Sequence, residues 1–158
     1  MKFSSREDVE VPAAFLFDQL QDFGAFERSA IRRGADVRRT VPAGAALGIG
    51  DGWNVRFRWR GRPRALNLRL TELTAPEMLT LSGGSDSFEF LVKTTVIDLT
   101  PRRSRLIGEF DVRPRGFRAR VLLQSARLGK ATLDRRYADA LRNFAHEVER
   151  RYARSPSA

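Results

Sequence analysis

The 158-residue chain contains no cysteine and a single histidine, His146. Without cysteine there can be no disulfide bond and no thiolate metal site. One histidine cannot form a histidine-rich metal centre, and no cluster of carboxylates replaces it. No nucleophile is placed to form a catalytic triad with His146, which has charged neighbours on its helix. We therefore expect no metal, no cofactor and no catalytic residue.

Long apolar runs are also absent, since no stretch approaches the roughly 20 residues that a membrane-spanning helix needs. The apolar segment Ala13–Phe17 is short and lies between Glu10 and Asp18, which is unlike a secretory signal. We therefore expect a cytoplasmic protein. The length predicts one domain at 1–153 followed by a flexible tail at 154–158.

Lysine is scarce, with three residues against 26 arginines, and the net charge is +10. Such a charge attracts nucleic acid or an anionic lipid surface. Arginine codons are also favoured in GC-rich genomes, and the spread of arginines along the chain favours that explanation. The densest positive patch lies on one predicted hairpin and comprises Arg56, Arg58, Arg60, Arg62, Arg64 and Arg69.

Hydrophobic spacing predicts a strand, two short helices, six further strands and a long final helix. Trp53, Val55, Phe57 and Trp59 alternate with polar residues, as is typical of a strand with one solvated face. From about Gly116 to Tyr152 the apolar residues recur every three or four positions. We expect this helix to bend near Gly129, because a straight helix of that length would exceed the domain. The predicted segments are strands at 3–11, 35–41, 53–60, 66–71, 78–82, 88–99 and 106–112, and helices at 13–22, 25–33 and 116–152.

This order predicts an α+β fold in which a curved antiparallel sheet of about seven strands surrounds the C-terminal helix. The segment Val9–Phe23, with its Pro-Ala entry to the first helix, resembles the START/Bet v 1-like (SRPBCC) superfamily. The loop Gly48–Trp53 resembles the glycine-rich approach to that family's third strand. The resemblance implies a helix-grip fold that binds hydrophobic ligands between sheet and helix. Members include lipid carriers, polyketide cyclases or dehydratases, and a quinone-binding, ribosome-associated branch.

A ligand pocket is expected between the sheet and the last helix. Ala126 and Gly129 are small residues on the helix stripe, opposite bulky residues of the sheet, and should leave space there. Apolar walls with few polar groups are typical of small-molecule sites. The predicted ligand-binding residues are Trp59, Phe88, Phe90, Phe110, Leu133 and Tyr137.

Three functions follow as alternatives. The first is binding or carriage of a lipid, quinone or polyketide-like compound without catalysis. The second is an enzyme of the polyketide cyclase/dehydratase type, for which an inward-facing Glu7 could act as a base, although an ion pair with an arginine is favoured. The third is an RNA- or ribosome-binding module that uses the arginine hairpin, which is disfavoured because Trp53, Phe57 and Trp59 lie on the opposite face.

The glycines at 48, 50 and 52 do not predict a dinucleotide site, because Trp53 begins a strand and a phosphate-binding loop needs a helix there. A flexible loop is expected instead. Its position before the aromatic strand suggests that it gates the mouth of a cavity.

Overall fold

The computed structural model describes residues 1–155. It contains seven strands, four α-helices and one short 3₁₀ turn within that range. In chain order these are β1 (Lys2–Val9), α1 (Ala13–Leu20), α2 (Phe23–Arg32), β2 (Asp36–Arg39), β3 (Gly52–Trp59), β4 (Arg62–Thr74), β5 (Met78–Gly84), β6 (Phe88–Thr100), β7 (Arg103–Pro114), α3 (Phe117–Ala126), the 3₁₀ turn (Arg127–Gly129) and α4 (Lys130–Ala153).

The strands form one antiparallel sheet in the order β1-β7-β6-β5-β4-β3-β2. Each strand pairs with its neighbour in sequence except β1, which pairs with β7 and forms one edge of the sheet. Helix α4 packs mainly against β1, and α1 contacts β6, β7 and α4. The predicted α+β helix-grip architecture is confirmed.

The core lies where α1 and the second half of α4 meet the sheet. Alternation along the strands and three-to-four spacing along the helices bring apolar side chains to the same side, where their burial removes them from water. The buried cluster comprises Val9, Val11, Leu16, Phe17, Leu20, Leu70, Leu79, Val96, Leu106, Ala145 and Val148.

The turn between β3 and β4 was predicted at 61–63, which is wrong by one residue. The structure places a two-residue turn at Arg60 and Gly61, with φ angles of 51° and 72°, and pairs Trp59 with Arg62. Two positive φ angles match the tight hairpin turns whose twist suits the flanking strands. Pro63 therefore lies inside β4, opposite Arg58.

The final helix is interrupted where a bend was expected. The 3₁₀ turn Arg127–Gly129 separates α3 from α4. Of the tail predicted at 154–158, residues 156–158 lie outside the described part of the chain, while Arg154 and Ser155 donate backbone hydrogen bonds to the last turn of α4. None of the described helices is both long enough and apolar enough to cross a membrane.

Candidate functional site

A cavity of about 450 Å³ lies between the sheet, α2 and α4. Ligand pockets in proteins are commonly about 300–1,000 Å³ and mostly apolar, so both its size and its walls fit a small molecule. The lining residues are Leu20, Phe23, Phe26, Glu27, Ala30, Val37, Trp53, Val55, Leu68, Leu79, Leu81, Val92, Thr94, Leu106, Gly108, Tyr137, Ala140, Leu141 and Phe144.

Both helices contribute to the cavity through the same spacing. Helix α2 supplies residues 23, 26, 27 and 30, and α4 supplies residues 137, 140, 141 and 144. Positions i, i+3, i+4 and i+7 share one helical face, so each helix turns a single stripe toward the cavity. The two stripes touch where the Phe26 and Phe144 ring centroids are 5.8 Å apart. The ring of Phe23 meets Trp53 edge to face at 5.2 Å.

One carboxylate lies in this apolar wall. Glu27, whose side chain is 19% exposed, forms a 2.6 Å ion pair with the Arg39 guanidinium. The Trp53 indole N–H donates a further hydrogen bond, 3.2 Å long, to the same carboxylate. The hydrogen bond from Arg39, and then that from Trp53, lowers the pKa of Glu27 despite its partial burial. Glu27 is therefore a charged group with its own partners, poorly suited to act as a base.

The ion pair between Glu27 and Arg39 predicts a pH-dependent stability. A lowered folded-state pKa means that the contribution is fully present above the ordinary glutamate value of 4.5, and disappears as pH falls through the folded value. We expect Glu27→Gln to lower the free energy of unfolding by about 1–2 kcal/mol at neutral pH. The difference from the unmodified protein should shrink below pH 4.5, as measured by urea unfolding at a series of pH values.

Glu89→Gln is the matched control, because Glu89 and Arg115 form a 3.5 Å ion pair between exposed side chains. Its effect should stay below about 0.5 kcal/mol. A loss for Glu27→Gln that is the same at pH 3 and pH 7 would show that the amide disturbs packing rather than charge.

Tyr137 supplies a polar group to the cavity from α4. Burial raises the pKa of its phenol, and the charge of Glu109 raises it further, so the hydroxyl is protonated at neutral pH. Within residues 1–155 this hydroxyl has no protein hydrogen-bond partner, and it is not fully buried. It lies against Gly108, where an added Cβ atom would be 2.9 Å from the hydroxyl oxygen and 3.1 Å from Leu141 Cδ1. The absence of a side chain at Gly108 thus leaves the room that the phenol occupies.

Of the six residues predicted for the pocket, four line one of two neighbouring spaces and two line neither. Tyr137 lines the cavity. Trp59, Phe88 and Phe90 line a wider groove of about 820 Å³, to which Val55 of the cavity wall also belongs. Phe110 and Leu133, both half-buried, line neither space.

Four of the six predicted residues belong to a ladder of aromatic rings. Phe88 stacks on Phe90 with centroids 6.5 Å apart, and Phe90 stacks on Phe110 at 6.0 Å. Phe3 then continues the ladder, 6.1 Å from Phe110 and 6.0 Å from Tyr137. The ladder connects the groove to the cavity through contacts between different strands and α4. The spacing of residues within a single element cannot predict such contacts.

The space does not arise where the sequence suggested. Gly129 is exposed and an added Cβ atom there would meet nothing within 4 Å, while Ala126 is half-buried outside the cavity. The cavity instead lies beside the middle of α4, opposite Gly108. Sequence reasoning also missed α2 and Glu27. The signal that could have found them is the spacing of Phe23, Phe26, Glu27 and Ala30.

Glu7 faces inward from β1, and its carboxylate forms a 3.4 Å ion pair with Arg142 of α4. The ion pair, which was favoured over a base at this position, is therefore what the structure contains. Among residues 1–155, no group of three or more histidine, aspartate or glutamate side chains is placed to hold a metal ion.

The glycine-rich loop is fixed to β4. Gly50 N–H donates a 2.7 Å hydrogen bond to Leu70 O, and Leu70 N–H donates one of 2.8 Å to Asp51 O. None of residues 42–51 lines the cavity. Gly50 also has φ of 92°, a conformation that strains any other residue. The expected gate therefore has no support, and Gly50→Ala would test backbone strain rather than ligand exchange.

Comparison with solved structures identifies the fold. An aromatase/cyclase from Streptomyces sp. R1128 is 16% identical, covers 96% of this chain and 95% of its own, and superimposes with a TM-score of 0.66. A START superfamily protein from Mycobacterium smegmatis is 12% identical, with 95% of each chain covered and a TM-score of 0.60. The chain has the START/Bet v 1-like helix-grip fold.

The helix-grip neighbours also include norcoclaurine synthase from Thalictrum flavum, in a complex with dopamine and hydroxybenzaldehyde. It is 9% identical, covers 94% of this chain and 85% of its own, and has a TM-score of 0.63. No protein-family model and no curated protein sequence matches the chain. At these identities the likeness shows a common helix-grip fold, and function must be argued from the site.

Proposed function

We propose that this helix-grip domain binds and carries a hydrophobic small molecule in the cavity between the sheet, α2 and α4, without transforming it. One observation carries the proposal: 19 residues from α1, α2, α4 and the sheet line about 450 Å³ with mostly apolar side chains. Transfer of apolar ligand surface from water into such a space contributes about 25 cal/mol for each Å² buried.

The polar groups of the cavity suit binding better than catalysis. Glu27 is ion-paired and keeps its charge, so it does not offer the raised pKa that a general base would need near neutral pH. The protonated Tyr137 hydroxyl can donate one hydrogen bond. The ligand that fits is an apolar body with one acceptor, such as the carbonyl oxygen of a quinone or a polyketide-like compound, or a lipid ester.

Native mass spectrometry of the freshly purified protein tests this proposal. We expect a fraction of the protein to carry one apolar molecule, which organic extraction would recover and assign to a chemical class. Protein that has been unfolded by heat and refolded in detergent-free buffer should no longer carry the bound molecule. If neither the native protein nor protein incubated with quinones and fatty acids gains mass, the binding proposal is refuted.

A cyclase- or dehydratase-like enzyme is the second candidate. It is supported by the Tyr137 hydroxyl, which could give a proton to a bound carbonyl compound, and by the fold shared with an aromatase/cyclase. Tyr137→Phe separates the two functions. It should abolish turnover in an enzyme, whereas in a carrier it should change the ligand affinity by less than about threefold.

The RNA alternative has less support. Of the three aromatic side chains of β3, only Trp59 is exposed, and the guanidinium groups of Arg60 and Arg64 already lie over its ring, 4.5 and 5.6 Å from the centroid.

A further inference from the structure

Helix α3 presents an apolar stripe to solvent. Phe117 is 79% exposed, Leu128 in the adjoining 3₁₀ turn is 94% exposed, and Val121 between them is also exposed. Separations of four and seven residues place the three side chains on one helical face. Ala119, on the opposite face, is buried against the rest of the domain. Large apolar side chains that protrude together in this way are typical of an interaction surface.

The unpaired charge around the apolar stripe is positive. Residues 112–133 include six arginine or lysine residues and no aspartate or glutamate. Three of the six form ion pairs with carboxylates outside this segment, namely Arg113 with Asp111, Arg115 with Glu89 and Lys130 with Asp134. Arg118, Arg120 and Arg127 are exposed, and no ion pair involves them within residues 1–155. By helical spacing Arg120 and Arg127 lie on one side of the stripe and Arg118 on the other. Apolar side chains between free guanidinium groups form the pattern of a helix that lies in a membrane interface.

Other occupants fit this surface less well. Nucleic acid would contact the arginines and leave Phe117 and Leu128 in water, because phosphate offers nothing to an aliphatic side chain. A second copy could cover the apolar stripe, but it would bring two segments that are rich in arginine and free of acid into contact. An anionic bilayer suits both the apolar stripe and the arginines, since acyl chains surround the apolar side chains while lipid phosphates bind the guanidinium groups.

We propose that α3 and the 3₁₀ turn dock this protein on an anionic membrane surface, with Phe117, Val121 and Leu128 inserted and Arg118, Arg120 and Arg127 at the phosphates. Leu122, one position along from Val121, lines the groove that contains Trp59 and Phe88. Docking therefore places the rim of the groove beside the bilayer. The inference goes beyond ligand carriage and holds whether or not the cavity binds a ligand.

Vesicle co-sedimentation tests the docking surface with the full chain. At about 0.1 M NaCl, we expect binding to phosphatidylcholine vesicles that contain about 30% phosphatidylglycerol, and little binding to phosphatidylcholine alone. Phe117→Ser with Leu128→Ser should lower the partition constant more than about tenfold, because two inserted apolar groups are lost. Arg118→Gln, Arg120→Gln and Arg127→Gln together should lower it on the order of 100-fold.

Two matched controls distinguish docking by α3 from non-specific binding through other exposed apolar side chains and from attraction by the net positive charge. Ile31→Ser with Leu91→Ser removes two exposed apolar side chains elsewhere and should change binding less than about twofold. Arg56→Gln, Arg58→Gln and Arg69→Gln remove the same charge from the arginine hairpin and should have an effect below about threefold. All these positions are exposed, so thermal unfolding should be unchanged in each variant.

Four results would overturn the proposal. The protein could fail to bind anionic vesicles, or the hairpin arginines could matter more than those of α3. Alternatively, Phe117→Ser with Leu128→Ser could convert a dimer into a monomer in light scattering, which would assign the stripe to a second copy. RNA that competes with vesicles through the α3 arginines, while the serine variant binds vesicles normally, would equally contradict insertion. None of these readouts depends on a ligand in the cavity.

Discussion

Val92→Trp is expected to abolish binding of a neutral apolar fluorophore, N-phenyl-1-naphthylamine, or to weaken it at least about tenfold, equivalent to about 1.4 kcal/mol. Val92 is half-buried on β6 and lines the cavity. An indole at this position would occupy space that the fluorophore needs, in a cavity of about 450 Å³. Direct excitation of the fluorophore during titration measures the affinity. A thermal unfolding midpoint within a few degrees of the original would show that the fold is intact.

Leu91→Trp is the matched control for this substitution. Leu91 is the adjacent residue of the same strand, so its side chain lies on the opposite face of the sheet, where it is exposed. Its replacement should leave the fluorophore affinity unchanged. Equal losses for Val92→Trp and Leu91→Trp would mean that the fluorophore does not bind in the cavity, and carriage in that space would have to be abandoned.

Leu133→Trp decides how far the binding site extends along α4. Leu133 belongs to the predicted lining but lies outside the cavity, four residues before Tyr137. We propose that ligand contacts are concentrated at Tyr137 and Leu141, so this substitution should change the affinity less than about twofold. An effect as large as that of Val92→Trp would extend the site to the predicted position.

Gly83→Ala is expected to lower the free energy of unfolding by about 3 kcal/mol or more. A Cβ atom at Gly83 would lie 1.9 Å from the backbone oxygen of Asn67. A backbone atom of a paired strand cannot move aside as a side chain can, so β5 and β4 would have to separate. Gly52 is in the same situation, 1.8 Å from Leu68 O. Urea unfolding measures the loss.

Gly129→Ala is the control with the same chemical change. Nothing lies within 4 Å of the added methyl group, and the backbone at Gly129 has φ of −103°. Alanine favours helix over glycine by up to about 1 kcal/mol, so stability should be unchanged or slightly raised. If Gly83→Ala were as stable as Gly129→Ala, the close approach of β4 and β5 at this position would be disproved.

Elements of this fold were predictable because their signals are local. The alternation of Trp53, Val55 and Phe57 with polar residues requires no knowledge of distant contacts, since successive side chains of a strand face opposite ways. Pro12 and the three-to-four spacing after it locate α1 in the same manner. The turn before β4 was misplaced because the left-handed conformation of Arg60 has no signal in the residue type.

The cavity could not be located from such signals. Whether a half-apolar helical face packs on the core or faces an empty space depends on how far it lies from the sheet. In α2 the residues Phe23, Phe26 and Ala30 have a spacing that would also suit core packing, but here they line the cavity. Opposite α4 the small residue is Gly108 of β7, whose missing side chain leaves room for Tyr137 and Leu141, and the exposed Gly129 plays no part.

The sequence by itself determined the strands, the helices, their order and the charge, because each rests on a pattern within one segment. Only the tertiary structure decided the site. Glu27, Arg39 and Trp53 come from three elements, and the ring of Phe3 joins Phe110 to Tyr137 across more than 100 residues of chain. Contacts of that kind are set by strand register and helix placement, which are properties of the folded chain as a whole.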